Sequence, residues 1–356
     1  MASTDGAGTK ISGQDQPKRI NYLALGTVIA AFAVVILHSN SFWGFDPRDS
    51  VWVSANVIEC LFYFAVPFFY MSAGITNIDY RDKYSTKEFL KKRFFKTVIP
   101  FVFWTFIGLL YNVANHFTEI SEITPEFIFR GFVENKINIT YWFFWPLFTI
   151  YLCMPLISLI PKDKRLPVFK YVIVICFVFN VLPPFISNVF NFNYTSPVAI
   201  SVGAEYLLYV FIGYVLAHEA FKLYQRLIIY ALGIAGFLIH MVCTYNLSVA
   251  AGSIVDTYKG YTKFPCFLYS AAVFLLIRQL SEHIKNAKFW KFINAASTFA
   301  FPIYLMHPYF MSMSTQLGVE MGSPVYRFGV PFIVILICVI ITLNVRKVPF
   351  IRGILP

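Results

Sequence analysis

Long apolar runs, each near the ~20 residues a helix needs to cross a bilayer, divide this 356-residue chain, with little but short polar clusters between them. There are about ten: residues 20–41, 51–76, 97–115, 141–160, 168–187, 198–219, 226–247, 261–280, 294–314 and 325–345. In lipid, every backbone N–H and C=O must be satisfied by other backbone, which leaves helices or closed barrels. The runs lack the alternation of barrel strands, so they read as helices. Composition agrees, since only 13% of residues are charged and 58% are hydrophobic, against roughly a quarter charged in a soluble domain. The expected fold is all-α, a polytopic integral membrane protein of about ten transmembrane helices. A soluble domain, a disordered chain and a disulfide-stapled secreted module are excluded.

The net charge of +11 would suggest nucleic acid if it were evenly spread. Instead, with the N-terminus placed in the cytoplasm, 23 of the 29 lysines and arginines fall in cytoplasmic segments. The outward segments hold only Arg48, Arg130, Lys136, Lys259, Lys263 and Arg327. That asymmetry satisfies the positive-inside rule and predicts both termini in the cytoplasm. The charge is a topology signal, and no nucleic-acid partner is expected. Residues 1–18 are polar, with no apolar stretch before a cleavage site, and read as a disordered cytoplasmic tail ahead of one transmembrane domain, 19–356. The six cysteines lie in or at the edges of the runs without close pairing, so neither a metal site nor a disulfide framework is expected.

Ionisable side chains inside a bilayer are costly, and each is a functional candidate by default. Five stand out: His38, Glu59, Glu205, His240 and His307. The topology places all five in the outer half of the membrane. Two histidines and two carboxylates at similar depth are the material of general acid–base chemistry, since imidazole exchanges protons near neutral pH and a carboxylate can orient it. The competing reading for each is a hydrogen bond that joins helices. It weighs most for His240, which reads as packing, and least for His38. The basic stretch RDKYSTKEFLKKRFFK before the third run fits topology and anionic headgroups, or a clamp for a phosphate-bearing donor. Pro67, Gly74, Pro146, Pro155, Pro302 and Pro308 are expected to kink or open their helices, with Pro308 pushing His307 out of regular geometry.

Several segments, taken in order, resemble the membrane-bound acyltransferase family 3, the O-acyltransferases of bacterial surface polysaccharides. RINYLALGTVIAAFAVVILHS is similar to the family's first helix, which ends in a histidine matched by His38. AVPFFYMSAGI matches a segment with Ser72 near Gly74, and FLKKRFFKTVIPFVFW matches the basic loop through Arg93 and Pro100. YWFFWPLFTIYLCMPLI, AEYLLYVFIGYVL and FAFPIYLMHP follow, the last through Tyr304 and His307. One departure is clear. The family's first helix carries an aspartate and then an arginine ahead of the histidine, and those positions are Ala24 and Thr27 here.

The resemblance implies an integral enzyme of the bacterial cytoplasmic membrane. It would move an acyl group, most simply acetyl from acetyl-CoA, to a hydroxyl of a surface polysaccharide or lipid-linked sugar. His38 would act as base or carry the acyl group, with His307, Glu59 or Glu205 orienting it. Arg19, Lys92, Arg93 and Lys96 would hold the donor's phosphates in place of the missing arginine. No metal is called for. A glycan or lipid flippase, a proton-coupled transporter and a catalytically inactive relative stay open as alternatives.

Overall fold

The computed structural model describes residues 20–356, and every apolar run in it contains helix. Eight stretches among the described residues are long and apolar enough to cross a membrane: Asn21–Gly44, Ser50–Asp82, Thr86–Ala114, Ile139–Ile157, Lys162–Phe190, Leu223–Ala251, Phe264–His283 and Val325–Val345. Two more runs give shorter helices, the apolar Leu207–His218 and Ala300–Gln316. The described residues hold no strand. The expected tail, 1–18, and Arg19 lie outside the described residues.

The α-helices are α1 (Asn21–Ser39), α2 (Ser50–Phe62), α3 (Ala65–Asn77), α4 (Thr86–Arg93), α5 (Ile99–Ala114), α6 (Pro125–Val133), α7 (Phe144–Ile157) and α8 (Lys162–Cys176). They continue as α9 (Leu182–Phe190), α10 (Leu207–His218), α11 (Leu223–Ala251), α12 (Phe264–His283), α13 (Ala287–Ala296), α14 (Ala300–Gln316) and α15 (Val330–Val345). Helix α1 is central, packed against α2, α3, α12, α13, α14 and α15. Its alanines let neighbours approach closely, and Ala30 and Ala33 are fully buried. Leu110, Leu152, Leu156, Leu232, Phe332 and Leu336 point outward and exposed, as a lipid solvent demands.

Proline sets the breaks in the spans. Pro67 has no N–H to give the Tyr63 carbonyl, and its ring crowds that carbonyl. The second span accordingly stops at Phe62 and restarts at Ala65. Three wide π turns, Phe94–Val98, Phe177–Val181 and Val325–Gly329, each end two residues before a proline, Pro100, Pro183 and Pro331. Widening the turn moves a carbonyl away from the proline ring, the usual origin of such bulges. Two of these turns carry a cation, Lys96 and Arg327. Pro308 behaves differently from expectation: α14 runs through it, and His307 stays in the helix. Gly74 also leaves α3 unbroken.

Gly74 instead serves the contact of α3 with α10. A Cβ there would lie 3.1 Å from the Val210 Cα, and a Cβ on Gly213 would lie 2.8 Å from the Met71 Cα. Each glycine therefore lets the other helix's backbone come close. Gly213→Leu should push the two helices apart and destabilise the protein by ~1–3 kcal/mol. Gly44→Ala, where nothing lies within 4 Å, should not. Thermal unfolding of both variants in nanodiscs checks this, and equal melting temperatures would contradict it.

Candidate active site

One face of α1 lines a cavity of about 1490 Å³ through Ile20, Leu23, Ala24, Thr27, Val34, Leu37 and His38. The spacing of three and four residues is the helical repeat, so a single stripe forms the wall. From Ile20 to His38 that stripe rises ~27 Å at ~1.5 Å per residue, close to the thickness of a hydrocarbon core. The two ends of the cavity differ in chemistry. Near the start of α1 it is lined by Lys83, Arg93, Lys96 and Arg346. Beyond His38 it is lined by Trp43, Glu59, Tyr63, Trp142, Tyr206 and Tyr261.

His38 is exposed to this cavity and His307 is fully buried behind it, with ring centroids 5.0 Å apart and tilted by 42°. Pro308 explains how His307 is held. The missing N–H of Pro308 frees the Tyr304 carbonyl, four residues back. The His307 Nδ1 takes that carbonyl at 2.9 Å and reaches the Ile303 carbonyl at 3.1 Å. A carbonyl only accepts, so Nδ1 carries the hydrogen and Nε2 is left as an acceptor. That Nε2 is buried and has no partner among the described residues. Tyr304, whose ring centroid lies 5.9 Å from that of His307, is itself fixed by a hydrogen bond to the Thr140 carbonyl.

Glu59 is buried as expected, but it does not orient either histidine. It accepts from the Lys259 Nζ at 3.0 Å and the Asn40 Nδ2 at 3.4 Å. Asn40 also donates to the Ala55 carbonyl at 2.7 Å and accepts from the Arg327 Nη2 at 3.0 Å. Ser39 donates to the Arg327 carbonyl at 3.0 Å. The two residues after His38 are thus clamped to α2 and to the start of the last span, and the clamp fixes the end of α1 that bears the histidine.

The other expected residues are dispersed. Glu205 is not part of a helical span, because α10 begins only at Leu207, and it sits exposed in the preceding irregular segment at a φ of +52°. It does not line the cavity. His240 is fully buried, edge-on to Tyr63 at 4.9 Å, and neither ring nitrogen has a partner among the described residues. Arg93 and Lys96 line the cationic end, with Arg93 over the rings of Phe89 and Tyr151. Lys92 does not line the cavity itself, and is exposed with its ammonium 3.7 Å from the ring of Tyr84, which does. Ala24 and Thr27 both line the cavity, so the departure from the family pattern lies on its wall.

Sequence reasoning missed three cations, Lys259, Arg327 and Arg346, and included Lys83 only within the basic stretch. Lys259 and Arg327, counted only as outward charges, are 2% and 5% exposed. Lys83 and Arg346 line the cavity, and Arg346 also holds the Thr298 carbonyl and hydroxyl and the Leu355 and Pro356 carbonyls. A lysine among aromatic residues, as in the DTYKGYTKF stretch, was the one available signal for Lys259.

The family model described as an acyltransferase domain matches residues 20–343. No curated protein and no solved structure matches the chain.

Removing one partner of a buried ion pair leaves an uncompensated charge, at a typical cost of about 3–5 kcal/mol. Lys259→Met should therefore destabilise the protein strongly, and Lys259→Met with Glu59→Gln should recover much of the loss. Unfolding measurements on the single and double variants test this, and additive losses would rule out the coupling.

Proposed function

The chain belongs to the acyltransferase family that its residues 20–343 match, and on that premise we propose that it is an acyl-CoA-dependent O-acyltransferase acting across the membrane. The observation that carries this reading is that one cavity joins a cationic end to an aromatic end, with His38 on its wall next to His307. By the positive-inside rule the cationic end is the cytoplasmic one, and both termini lie on that side. The most economical donor is acetyl-CoA, and the acceptor is a hydroxyl of a surface polysaccharide or lipid-linked sugar. The bacterial cytoplasmic membrane is the proposed setting.

Arg93, Lys96 and Lys83 supply positive charge for the donor's phosphates where the family's first-helix arginine is absent. Thr27 and Ala24 leave room on the wall for the thioester-bearing arm to run along α1. At the other end His38 takes the proton of the acceptor hydroxyl as its oxygen attacks the thioester carbon. The C–S bond breaks, the O–C bond forms, and the proton passes from His38 to the departing thiolate. The free Nε2 of His307 accepts a hydrogen bond from the His38 ring and so steadies it, the part expected of His307, Glu59 or Glu205. Glu59 acts at one remove, through Asn40 and the end of α1.

General acid–base groups typically contribute ~10²–10⁴-fold to rate. His38→Ala in nanodiscs should lower transfer from labelled acetyl-CoA by about that factor while the protein melts at its usual temperature. Charge reversal of Arg93 and Lys96 together should raise the donor KM and spare kcat at saturation. Undiminished thioester cleavage by His38→Ala would refute the assignment, and an unchanged donor KM would refute the cationic site.

A further inference from the structure

We propose that the outer face of the third span, from Lys87 and Lys91 through Phe95 to Leu110, is a docking site for one anionic phospholipid. Its phosphate sits between the two lysines, and an acyl chain follows the apolar residues beyond them. The inference goes beyond the acyltransferase reading and does not depend on it.

The span is one continuous helical stretch, Thr86–Ala114, with two unlike faces. Phe89, Arg93, Thr97, Phe101 and Thr105 recur every four residues; Arg93 lines the cavity and the other four are buried. Offset by two residues, about half a turn, run Lys87, Lys91, Phe95, Ile99 and Phe103, followed by Phe106 and Leu110. Intervals of three and four keep a row on one face. Every residue of this second row is exposed, Phe95 by 55% and Leu110 by 64%. The row passes without interruption from two cations to apolar side chains.

That order is the order of a bilayer leaflet. Phe95 opens the apolar part of the row and so marks the edge of the hydrocarbon. At ~1.5 Å per residue, Lys91 stands ~6 Å and Lys87 ~12 Å further out. The headgroup layer on each side of a ~30 Å core is ~5–8 Å deep, so the two lysines reach through it.

The charge on this row is unmatched within the protein. Several other cations have carboxylate partners: Lys162 with Asp82 at 2.5 Å, Lys170 with Glu219 at 2.5 Å, and Arg165 with Asp79. Lys87 and Lys91 have neither an ion pair nor a hydrogen bond among the described residues. The neighbouring carboxylate, Glu88, accepts instead from the Ser85 N–H at 3.1 Å in the capping box of α4. Nor do these lysines serve the cavity, whose lining cations at this end are Lys83, Arg93, Lys96 and Arg346. An anion with an apolar tail satisfies both halves of the row. A soluble phosphate ester leaves the phenylalanines unserved, and a zwitterionic lipid brings its own countercharge.

The test places the full chain in phosphatidylcholine nanodiscs doped with phosphatidylglycerol that carries a photoreactive diazirine in one acyl chain. Crosslinked peptides are mapped by mass spectrometry. At equal mole fraction, the phosphatidylglycerol probe should label residues 95–110 about tenfold more than the matching phosphatidylcholine probe, since each basic side chain near an anionic lipid is worth roughly fivefold. Lys87→Gln with Lys91→Gln should bring labelling down to the phosphatidylcholine level at an unchanged melting temperature, and Lys87→Arg with Lys91→Arg should keep it. Lys285→Gln with Lys288→Gln, which removes the same charge from another exposed pair, should leave it unchanged. Equal labelling by the two probes would overturn the site, as would label concentrated on other spans. An equal loss in the Lys285 and Lys288 variant would reduce the effect to net charge. Displacement by excess soluble glycerol 3-phosphate would show that the chain plays no part, and either result contradicts the proposal.

Discussion

An ionised carboxylate inside a bilayer must find its countercharge within the protein, and Glu59 finds Lys259, two hundred residues away in sequence. The rest of the site hangs on that pairing. Glu59 also receives Asn40, Asn40 receives Arg327, and Ser39 bonds the Arg327 backbone. These contacts tie the last residues of α1 to α2, to the loop before α12 and to the wide turn before α15. His38 is the next residue back along α1, so its place on the cavity wall follows from how lipid forces buried polar groups to pair.

The same economy governs His307. A proline in a transmembrane helix leaves a carbonyl without its helical donor. Here the neighbouring imidazole fills that gap, which at once repairs the helix and fixes which nitrogen bears the hydrogen. Likewise, the wide turns that relieve Pro100 and Pro331 are the turns that carry Lys96 and Arg327. Proline thus acts twice, interrupting a span and placing a functional side chain. The outcome is a cavity along most of α1 with a different chemistry at each end, His38 on its wall and the His307 ring packed behind it.

Much of this was legible in the sequence because bilayer physics is strict. Apolar runs gave the helices, and ionisable residues inside them singled out His38, His307 and Glu59. Hydropathy does not register where a helix begins, so the run at 198–219 concealed an irregular segment, and Glu205 was placed inside a span it precedes. Tallying charges by segment assumes that loop charges are solvated, which hid Lys259 and Arg327. Single-residue geometry was misjudged at Pro308, since the compensation comes from a ring contact that spacing does not reveal. The aromatic end of the cavity escaped notice for a related reason. Trp43, Tyr63, Trp142, Tyr206 and Tyr261 come from separate segments, and in a chain with 22 tyrosines and 40 phenylalanines no local pattern marks them.

The account stands on one cavity serving two substrates that enter from opposite ends and meet at His38. An experimental structure of the protein in nanodiscs, bound to a non-hydrolysable thioether analogue of acetyl-CoA, tests that most directly. The account predicts density for the phosphates beside Arg93 and Lys96, the arm running along the Ala24–Thr27 face of α1, and the acyl carbon next to the His38 ring. Phosphates lodged at the Trp43 end, or an acyl carbon remote from His38, would contradict it.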